Sequence, residues 1–346
     1  MMEIAQRIRE AAIEGTPLDI RGGGSKSFMG RPVEGEILEI GSCRGVVDYD
    51  PKELVLTARA GTLLSEIEHV LSNEGQMLPF EPPHFGRDAT LGGTMACGLS
   101  GPRRPYLGAA RDFMLGCRTV NGNGEMLQFG AKVMKNVAGY DVSRLMVGAC
   151  GTLGVMLEVS LKVLPIPASS ITLAFESDAA SALKRMSGLL SQPHPVDAAC
   201  FHGEICHLRL SGSEESVKHA RSQLGGEVLI EGESFWKSVR EQALSLFSSA
   251  PFLYRIMVKP AAPVIDLEGK WLFDWGGSQR WLASHLPLSE VAMEAEKAGG
   301  QVTLFRGGEG RVLPPLPASL LAVQKRLKRS FDPKNILNPG RMYAEI

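Results

Sequence analysis

Much is scarce in this chain of 346 residues, and each scarcity narrows what it can be. Neither charge is in surplus: 37 Lys and Arg face 38 Asp and Glu, a formal net charge of −1. A nucleic-acid binder needs a basic excess or stripe, so that class is set aside. The six cysteines, Cys43, Cys97, Cys117, Cys150, Cys200 and Cys206, contain no CxxC pair. The start, Met1-Met2-Glu3-Ile4-Ala5-Gln6-Arg7, has no charged-then-apolar leader, so reduced thiols and a cytoplasmic setting are expected. A membrane-spanning helix needs roughly 20 apolar residues. No uncharged run exceeds 14 residues, and the one from Leu145 to Leu157 has 13 and includes three glycines. Docking on the inner face of a membrane through a larger complex stays open. Aromatic residues make up only 6%, and all four tryptophans lie between Trp236 and Trp281.

Glycine, by contrast, is plentiful and uneven, with 24 in residues 1–168 and 15 in residues 169–346. Glycine-dense chain turns tightly or approaches a ligand closely. The length suits two domains, each with its own core. Periodicity predicts a helix over 1–14, strands at 18–20, 35–40, 45–49 and 54–59, and a helix from Leu63 to Gly75 with Thr62 as its N-cap. Strands follow near 113–120 and 124–129, joined by the hairpin signal Asn121-Gly122-Asn123-Gly124. A helix over 141–148 and a strand over 155–163 close this half, and Pro165-Ile166-Pro167 reads as a linker. Beyond it, strand 171–175, helix 178–191, strands 196–201 and 205–210, helix 213–224 and strand 226–230 give the ferredoxin-like βαββαβ order. A helix at 234–248 precedes a degenerate repeat of that order. Its strands fall at 252–258, 270–275, 279–284 and 301–306, with a short helix near 263–268 and a better one at 288–298. A last helix spans 317–330.

Three glycine-bearing stretches attract attention. Arg21-Gly22-Gly23-Gly24-Ser25-Lys26-Ser27 follows a strand, and consecutive glycine amides can point into one concavity suited to a pyrophosphate. A GxGxxG fingerprint would need glycine at Ser27, and a phosphate-binding Walker loop would need it at Ile20 and Ser25. A flexible turn is the plain alternative. Ala89-Thr90-Leu91-Gly92-Gly93-Thr94-Met95-Ala96-Cys97-Gly98-Leu99-Ser100-Gly101 is either backbone lying flat against an extended aromatic ligand or a tightly packed helix. Lys135-Asn136-Val137-Ala138-Gly139-Tyr140-Asp141 through Gly151-Thr152-Leu153-Gly154-Val155, taken separately, could be an ordinary helix with a glycine cap.

Together, and with Phe331-Asp332-Pro333 … Asn338-Pro339-Gly340-Arg341, these stretches resemble the FAD-binding domain of the vanillyl-alcohol oxidase or PCMH-type flavoproteins. The resemblance covers about residues 17–167 and 331–342 and implies an α+β fold. That fold would have a two-lobed FAD-binding domain at 1–168, a ferredoxin-like βαββαβ substrate or cap domain at 169–310, and a segment at 311–346 returning to the FAD domain. Carried over, it implies that Gly22, Gly23, Gly24, Ser25 and Lys26 cradle the pyrophosphate. Thr90, Leu91, Gly92, Gly93, Ala96, Gly98 and Gly101 would line FAD, with Gly151, Thr152, Leu153, Gly154, Val155 and Asn338 contributing further contacts. Within the family, Leu78-Pro79-Phe80-Glu81-Pro82-Pro83-His84-Phe85-Gly86, Gly98 to Pro105 and Arg111 to Gly116 are similar to the E-type FAD subunits of bacterial glycolate oxidases. That implies a larger FAD-containing catalytic subunit and an iron–sulfur subunit as partners, and a small 2-hydroxy acid as substrate.

Oxidising a 2-hydroxy acid needs a hydride acceptor, a base and a cation for the carboxylate. FAD would be the first. The His-rich HxGDGNxH motif of larger family members is missing, and Phe305-Arg306-Gly307-Gly308-Glu309-Gly310 carries no histidine. His84 is the best-placed base, and Arg103, Arg104 and Arg111 are candidate carboxylate or phosphate partners, with ion-paired surface as their plain alternative. Cys200, His202, Cys206 and His207 lack metal-site spacing and read as a strand hairpin, so no metal is expected. Trp271, Trp275 and Trp281 read as core. No histidine follows Gly24 where flavinylated relatives carry one, so noncovalent FAD is expected. A standalone 2-hydroxy-acid or sugar-acid dehydrogenase, and an electron-relay or assembly subunit, remain the alternatives.

Overall fold

The structure, a computed structural model, describes residues 1–130, 141–308 and 313–346. The expected motif over Lys135 to Tyr140 and residues 309–312 lie outside the described residues. The chain divides into two compact units. The first comprises Met1–Leu99, Ala109–Pro165 and Pro315–Ile346; the second comprises Ser100–Gly108 and Ile166–Pro314.

The first unit opens with α1 (Met2–Glu14), which buries Ile4, Ala5, Ile8 and Ala11 at helical spacing and ends at Gly15 in the left-handed conformation (φ 73°). Next come β1 (Leu18–Arg21) and β2 (Glu36–Glu39), paired in parallel. They are followed by β3 (Val46–Asp50), β4 (Val55–Arg59), α2 (Leu64–Asn73), β5 (Gln76–Met77) and α3 (Leu91–Cys97). After α4 (Arg104–Leu107), which belongs to the second unit, come β6 (Met114–Val120), β7 (Met126–Gly130), α5 (Val142–Met146), β8 (Val155–Lys162) and β9 (Leu164–Pro165). An antiparallel sheet in the order β3-β4-β8-β6-β7 carries the core. Along its central strand β8, Val155, Leu157, Val159 and Leu161 share one face. They are within 1% of full burial and join Leu56, Ile67, Leu71, Leu91 and Met95 in one cluster. Each such side chain contributes roughly 1.5–3 kcal/mol by leaving water.

The second unit contains β10 (Ser169–Glu176), α6 (Ala179–Leu189), β11 (Val196–His202), β12 (Ile205–Gly212), α7 (Glu214–Leu224) and β13 (Glu227–Val228). After α8 (Gly232–Arg240) come β14 (Phe252–Met257), β15 (Lys270–Asp274), β16 (Gln279–Ser284), α9 (Leu288–Lys297) and β17 (Gln301–Arg306). One sheet holds all eight strands, in the order β13-β10-β12-β11-β15-β16-β14-β17. Each half has the ferredoxin-like strand order, the second without the first helix, and the halves meet edge to edge where Phe201 pairs with Phe273. The mirrored order gives physical form to the topological repeat expected from the sequence. Finally α10 (Ala318–Phe331) and the tail return to the first unit, where Leu18 and Leu337 form a parallel bridge.

Four local expectations are corrected. Thr62 does not cap α2: its hydroxyl accepts from Gly45 N at 2.9 Å, and the Leu64 amide is taken by the Ala89 carbonyl at 2.7 Å. No helix forms at 263–268, because the Ala262 and Pro263 carbonyls face the buried Arg280 guanidinium instead of helical amides. The helix expected at 234–248 stops at Arg240, where Gln242 has a positive φ of 53°, and one 3-10 turn follows at Ser245–Ser248. The strand expected at 226–230 shrinks to two residues after Gly225 and Gly226, both with positive φ.

Candidate cofactor site

The first unit's strand ends converge on a cleft that is partly open to solvent. Ile20 lies in β1 two residues before Gly22, while Ile40 follows β2 and Ala60 follows β4, each immediately before a glycine. Thr90, Gly92, Gly93 and Ala96 of the α3 region form a second side; Cys150, Gly151, Gly154, Val155 and Met156 form a third. Gly22 and Asn338 complete it.

The walls are joined by backbone. The amide of Gly92 donates to Ala60 O at 2.7 Å, and Ile40 N donates to Arg21 O at 2.8 Å. Gly148 N and Cys150 N donate to the Met95 and Ala96 carbonyls at 3.0 and 2.9 Å, tying the end of α3 to the 148–151 turn. Thr90 caps α3, its hydroxyl accepting from Gly93 N at 3.2 Å. Asn338, held at φ 44°, accepts from Ile20 N at 2.8 Å and donates to Cys150 O at 2.7 Å. One side chain therefore links β1 to the 150–151 turn.

Glycine is required here for close approach. A Cβ on Gly92 would stand 2.6 Å from the Ala60 Cβ, and one on Gly23 would overlap the carbonyl of Asp88. On Gly22 it would overlap the Thr90 hydroxyl. Within α3, the hydroxyl of Thr94 is fully buried and has no hydrogen-bond partner among the described residues. Among the described residues the cleft is walled by glycine and backbone and lined by no charged side chain, which fits a large planar cofactor met largely by backbone groups.

The other expected site residues are placed as follows. Gly24 takes the left-handed conformation (φ 70°) that turns the first loop. Ser25 and Lys26 stand beside the 84–86 loop; the Lys26 ammonium donates to His84 O at 3.2 Å and lies 5.9 Å from the Phe85 ring centre. Leu91 points into the core. Gly98 caps α3 against Gly148. Thr152 and Leu153 are buried, the Thr152 hydroxyl donating to Ala149 O at 2.7 Å. Gly101 falls in the second unit, where its carbonyl accepts from Trp275 Nε1 at 2.9 Å.

The catalytic candidates do not meet in this cleft. His84 Nε2 lies 3.0 Å from the Glu68 carboxylate. Arg103 is buried in the second unit at 2.8 Å from Asp197, which also holds Arg209 at 2.6 Å. Arg104 stacks over Trp275 at 4.3 Å. Arg111 is two-thirds exposed. Cys200 and His207 are cross-strand partners of the β11–β12 hairpin, turned at Gly203 and Glu204 with φ of 60° and 65°. Burial first, and neighbouring His202 second, push His207 down to about 4.

Ile20, Ile40, Ala60, Cys150 and Met156 line the cleft without having been anticipated. The available signal was positional: Ile40 and Ala60 directly precede a glycine after a strand, and Ile20 stands two residues before Gly22 near the end of β1.

Comparison with known proteins agrees with this geometry. The profile described as "FAD binding domain" matches residues 1–130, and that described as "FAD linked oxidases, C-terminal domain" matches residues 316–342. Glycolate oxidase subunit GlcE of Escherichia coli (strain K12) is 48% identical over 343 residues, covering 99% of this chain and 97% of that protein. Glycolate oxidase subunit GlcD of Bacillus subtilis (strain 168) is 23% identical over 410 residues, covering 99% and 87%. Among solved structures, p-cresol methylhydroxylase aligns with a TM-score of 0.75 at 15% identity over 99% of this chain and 87% of that one, which shows the shared fold. FAD is thus the cofactor of the fold and an FAD-dependent oxidoreductase its activity class. Backbone-walled cleft, returning C-terminal segment and full-length identity converge: the chain belongs to the PCMH-type FAD-binding family, among the relatives of glycolate oxidase subunit GlcE.

Proposed function

We propose that this chain is the FAD-carrying subunit of a multi-subunit glycolate oxidase that converts glycolate, or a related 2-hydroxy acid, to the 2-oxo acid. The observation that carries the reading is 48% identity, across nearly the whole chain, to a protein named as a subunit of such an oxidase. In this reading Gly22 to Lys26 hold the pyrophosphate. Thr90 to Gly93, Ala96, Gly98, the 151–155 turn and Asn338 support the rest of FAD, while Gly101, in the second unit, is left out of the site. Bound FAD supplies the hydride acceptor.

The chain's own residues orient that cofactor and exclude water; they do not offer an evident base. Among the described residues the cleft lining includes no histidine, carboxylate, lysine or arginine, while His84 and Arg103 already face acidic partners. This distribution supports a division of labour with a larger FAD-containing catalytic subunit and an iron–sulfur subunit, electrons passing to those partners. FAD is held noncovalently in this reading, since no histidine follows Gly24 in the first loop. No helix among the described residues is long and apolar enough to cross a membrane, and contact with one would come through the complex.

The test is turnover of glycolate or D-lactate with a dye acceptor, by the purified chain alone and with co-expressed partner subunits. Bound FAD without turnover until the partners are added is the expected result. Robust turnover by the chain alone would replace this reading with a standalone dehydrogenase.

A further inference from the structure

We propose that Lys328 and Asp332, a buried ion pair behind the cleft wall, are positioning residues for FAD that couple docking of α10 to cofactor binding. The inference rests on the reading of the cleft as the FAD site.

The helix that carries the pair is unusual in what it buries. Among the fourteen residues of α10, Lys328 is the fully buried one, while Leu327 and Phe331 are only partly covered and Leu320 and Val323 are exposed. A helix docked for stability alone would bury an apolar stripe, since a buried ion pair is a poor substitute for hydrophobic packing. The ammonium directs all three of its N–H donors to fixed acceptors: Thr152 O at 2.8 Å, Leu337 O at 2.7 Å and Asp332 Oδ2 at 2.7 Å. The Asp332 carboxylate in turn accepts from the amides of Ile336 at 3.1 Å and Leu337 at 2.7 Å.

Those partners lie one residue from the cleft. Thr152 directly follows Gly151, and Leu337 directly precedes Asn338; Gly151 and Asn338 both line the cavity. Asn338 then reaches Ile20 and Cys150, which line it too. The pair therefore fixes the spacing between the 150–152 turn and the 336–338 strip, which Asn338 bridges on the cleft side. Binding that needs this spacing must stabilise the tie, and the tie must strengthen binding by the same factor.

The test uses the full chain stripped of flavin and titrated with FAD by fluorescence and visible absorption. Lys328→Met should raise the dissociation constant at least about tenfold, within the usual range for coupled sites, and shift the bound flavin's absorption bands. Asn338→Gly, which keeps the positive φ and adds no buried charge, should do the same. If the wild type takes up no FAD, the cofactor reading fails and this inference fails with it. If the wild type binds and both variants match it within twofold with unchanged bands, the inference alone is overturned. Should Lys328→Met not fold, hydrogen exchange of the wild type decides. FAD should protect the Ile336 and Leu337 amides at least about tenfold beyond its effect on β4–β8 ladder amides, and equal protection would overturn the coupling.

Discussion

Around the cleft of the first unit, polar contacts are made by backbone and short side chains: Thr90 to Gly93, Gly92 to Ala60, Asn338 to Ile20 and Cys150. In the second unit several of the buried polar atoms sit on arginine side chains. Arg280 is fully buried and gives its donors to the carbonyls of Gly277, Pro263 and Ala262 at 3.1, 2.5 and 2.5 Å. Asp197 holds two buried guanidiniums, and Arg104 and Arg255 stand 4.3 and 5.1 Å from the Trp275 ring centre. A wall of glycine and backbone leaves room that another molecule's atoms can fill. A lattice of paired charges and rings is built to hold its own parts in place. The difference teaches where to look for ligand and where for scaffold, and it predicts different failures in the two units.

The comparison breaks most visibly at Gly92. Gly92→Leu pushes a side chain against Ala60, and overpacking of this kind costs about 1–3 kcal/mol, or roughly ten- to a hundredfold in FAD affinity. Equilibrium titration checks this, with circular dichroism to show the variant folded. Unchanged affinity would mean the cleft is not where FAD sits.

A comparable effect of another kind belongs to Asp197. Asp197→Ala removes the carboxylate that buried Arg103 and Arg209 share, and removal of one partner from such a group costs about 3–5 kcal/mol of stability. Urea unfolding of the second unit, followed by tryptophan fluorescence, should show the loss, with FAD affinity of the folded protein within a few-fold of wild type. Loss of FAD binding without loss of stability would erase the distinction between the units.

A gentler probe is pH. The folded value of His207 lies near 4, below the ordinary value of about 6.5, so the unfolded chain binds more protons between those limits. The stability His207 contributes is fully present above pH 6.5 and is lost as pH falls toward 4, by up to about 1.4 kcal/mol per pH unit. His207→Phe, stacked on Phe235 as the imidazole is at 4.0 Å, should flatten that slope in thermal melts taken across the window. The smallest effect is expected at Arg118, whose partly exposed pair with Glu158 spans 3.5 Å. Arg118→Ala should change stability by less than about 1 kcal/mol and leave FAD binding as it was.

Much of this organisation is legible in the sequence because it is local. The apolar face of β8, the left-handed stop at Gly15 and the βαββ order of the second unit are written in neighbouring residues. What stayed hidden depends on partners far along the chain. The segment at 263–268 reads as a short helix until Arg280 claims its carbonyls. Thr62 has the right type and place for a cap, yet its hydroxyl serves Gly45, seventeen residues away. The second glycine stretch could be read as flat backbone or as a helix, and packing of Gly92 on Ala60 decides for the helix. At the cofactor cleft the glycines announce themselves, whereas Ile20, Ile40, Ala60, Cys150 and Met156 become visible only when three strand ends converge. Lys328 looks like one more surface lysine on a basic helix, and only the fold shows it enclosed.

The central claim, that the backbone-lined cleft of the first unit holds one noncovalent FAD, is tested most directly by acid precipitation of the purified holoprotein. The account expects about one FAD per chain in the supernatant and a colourless pellet, with little flavin carried by Gly92→Leu. Flavin retained on the precipitated chain, or an equal flavin content in Gly92→Leu, would contradict it.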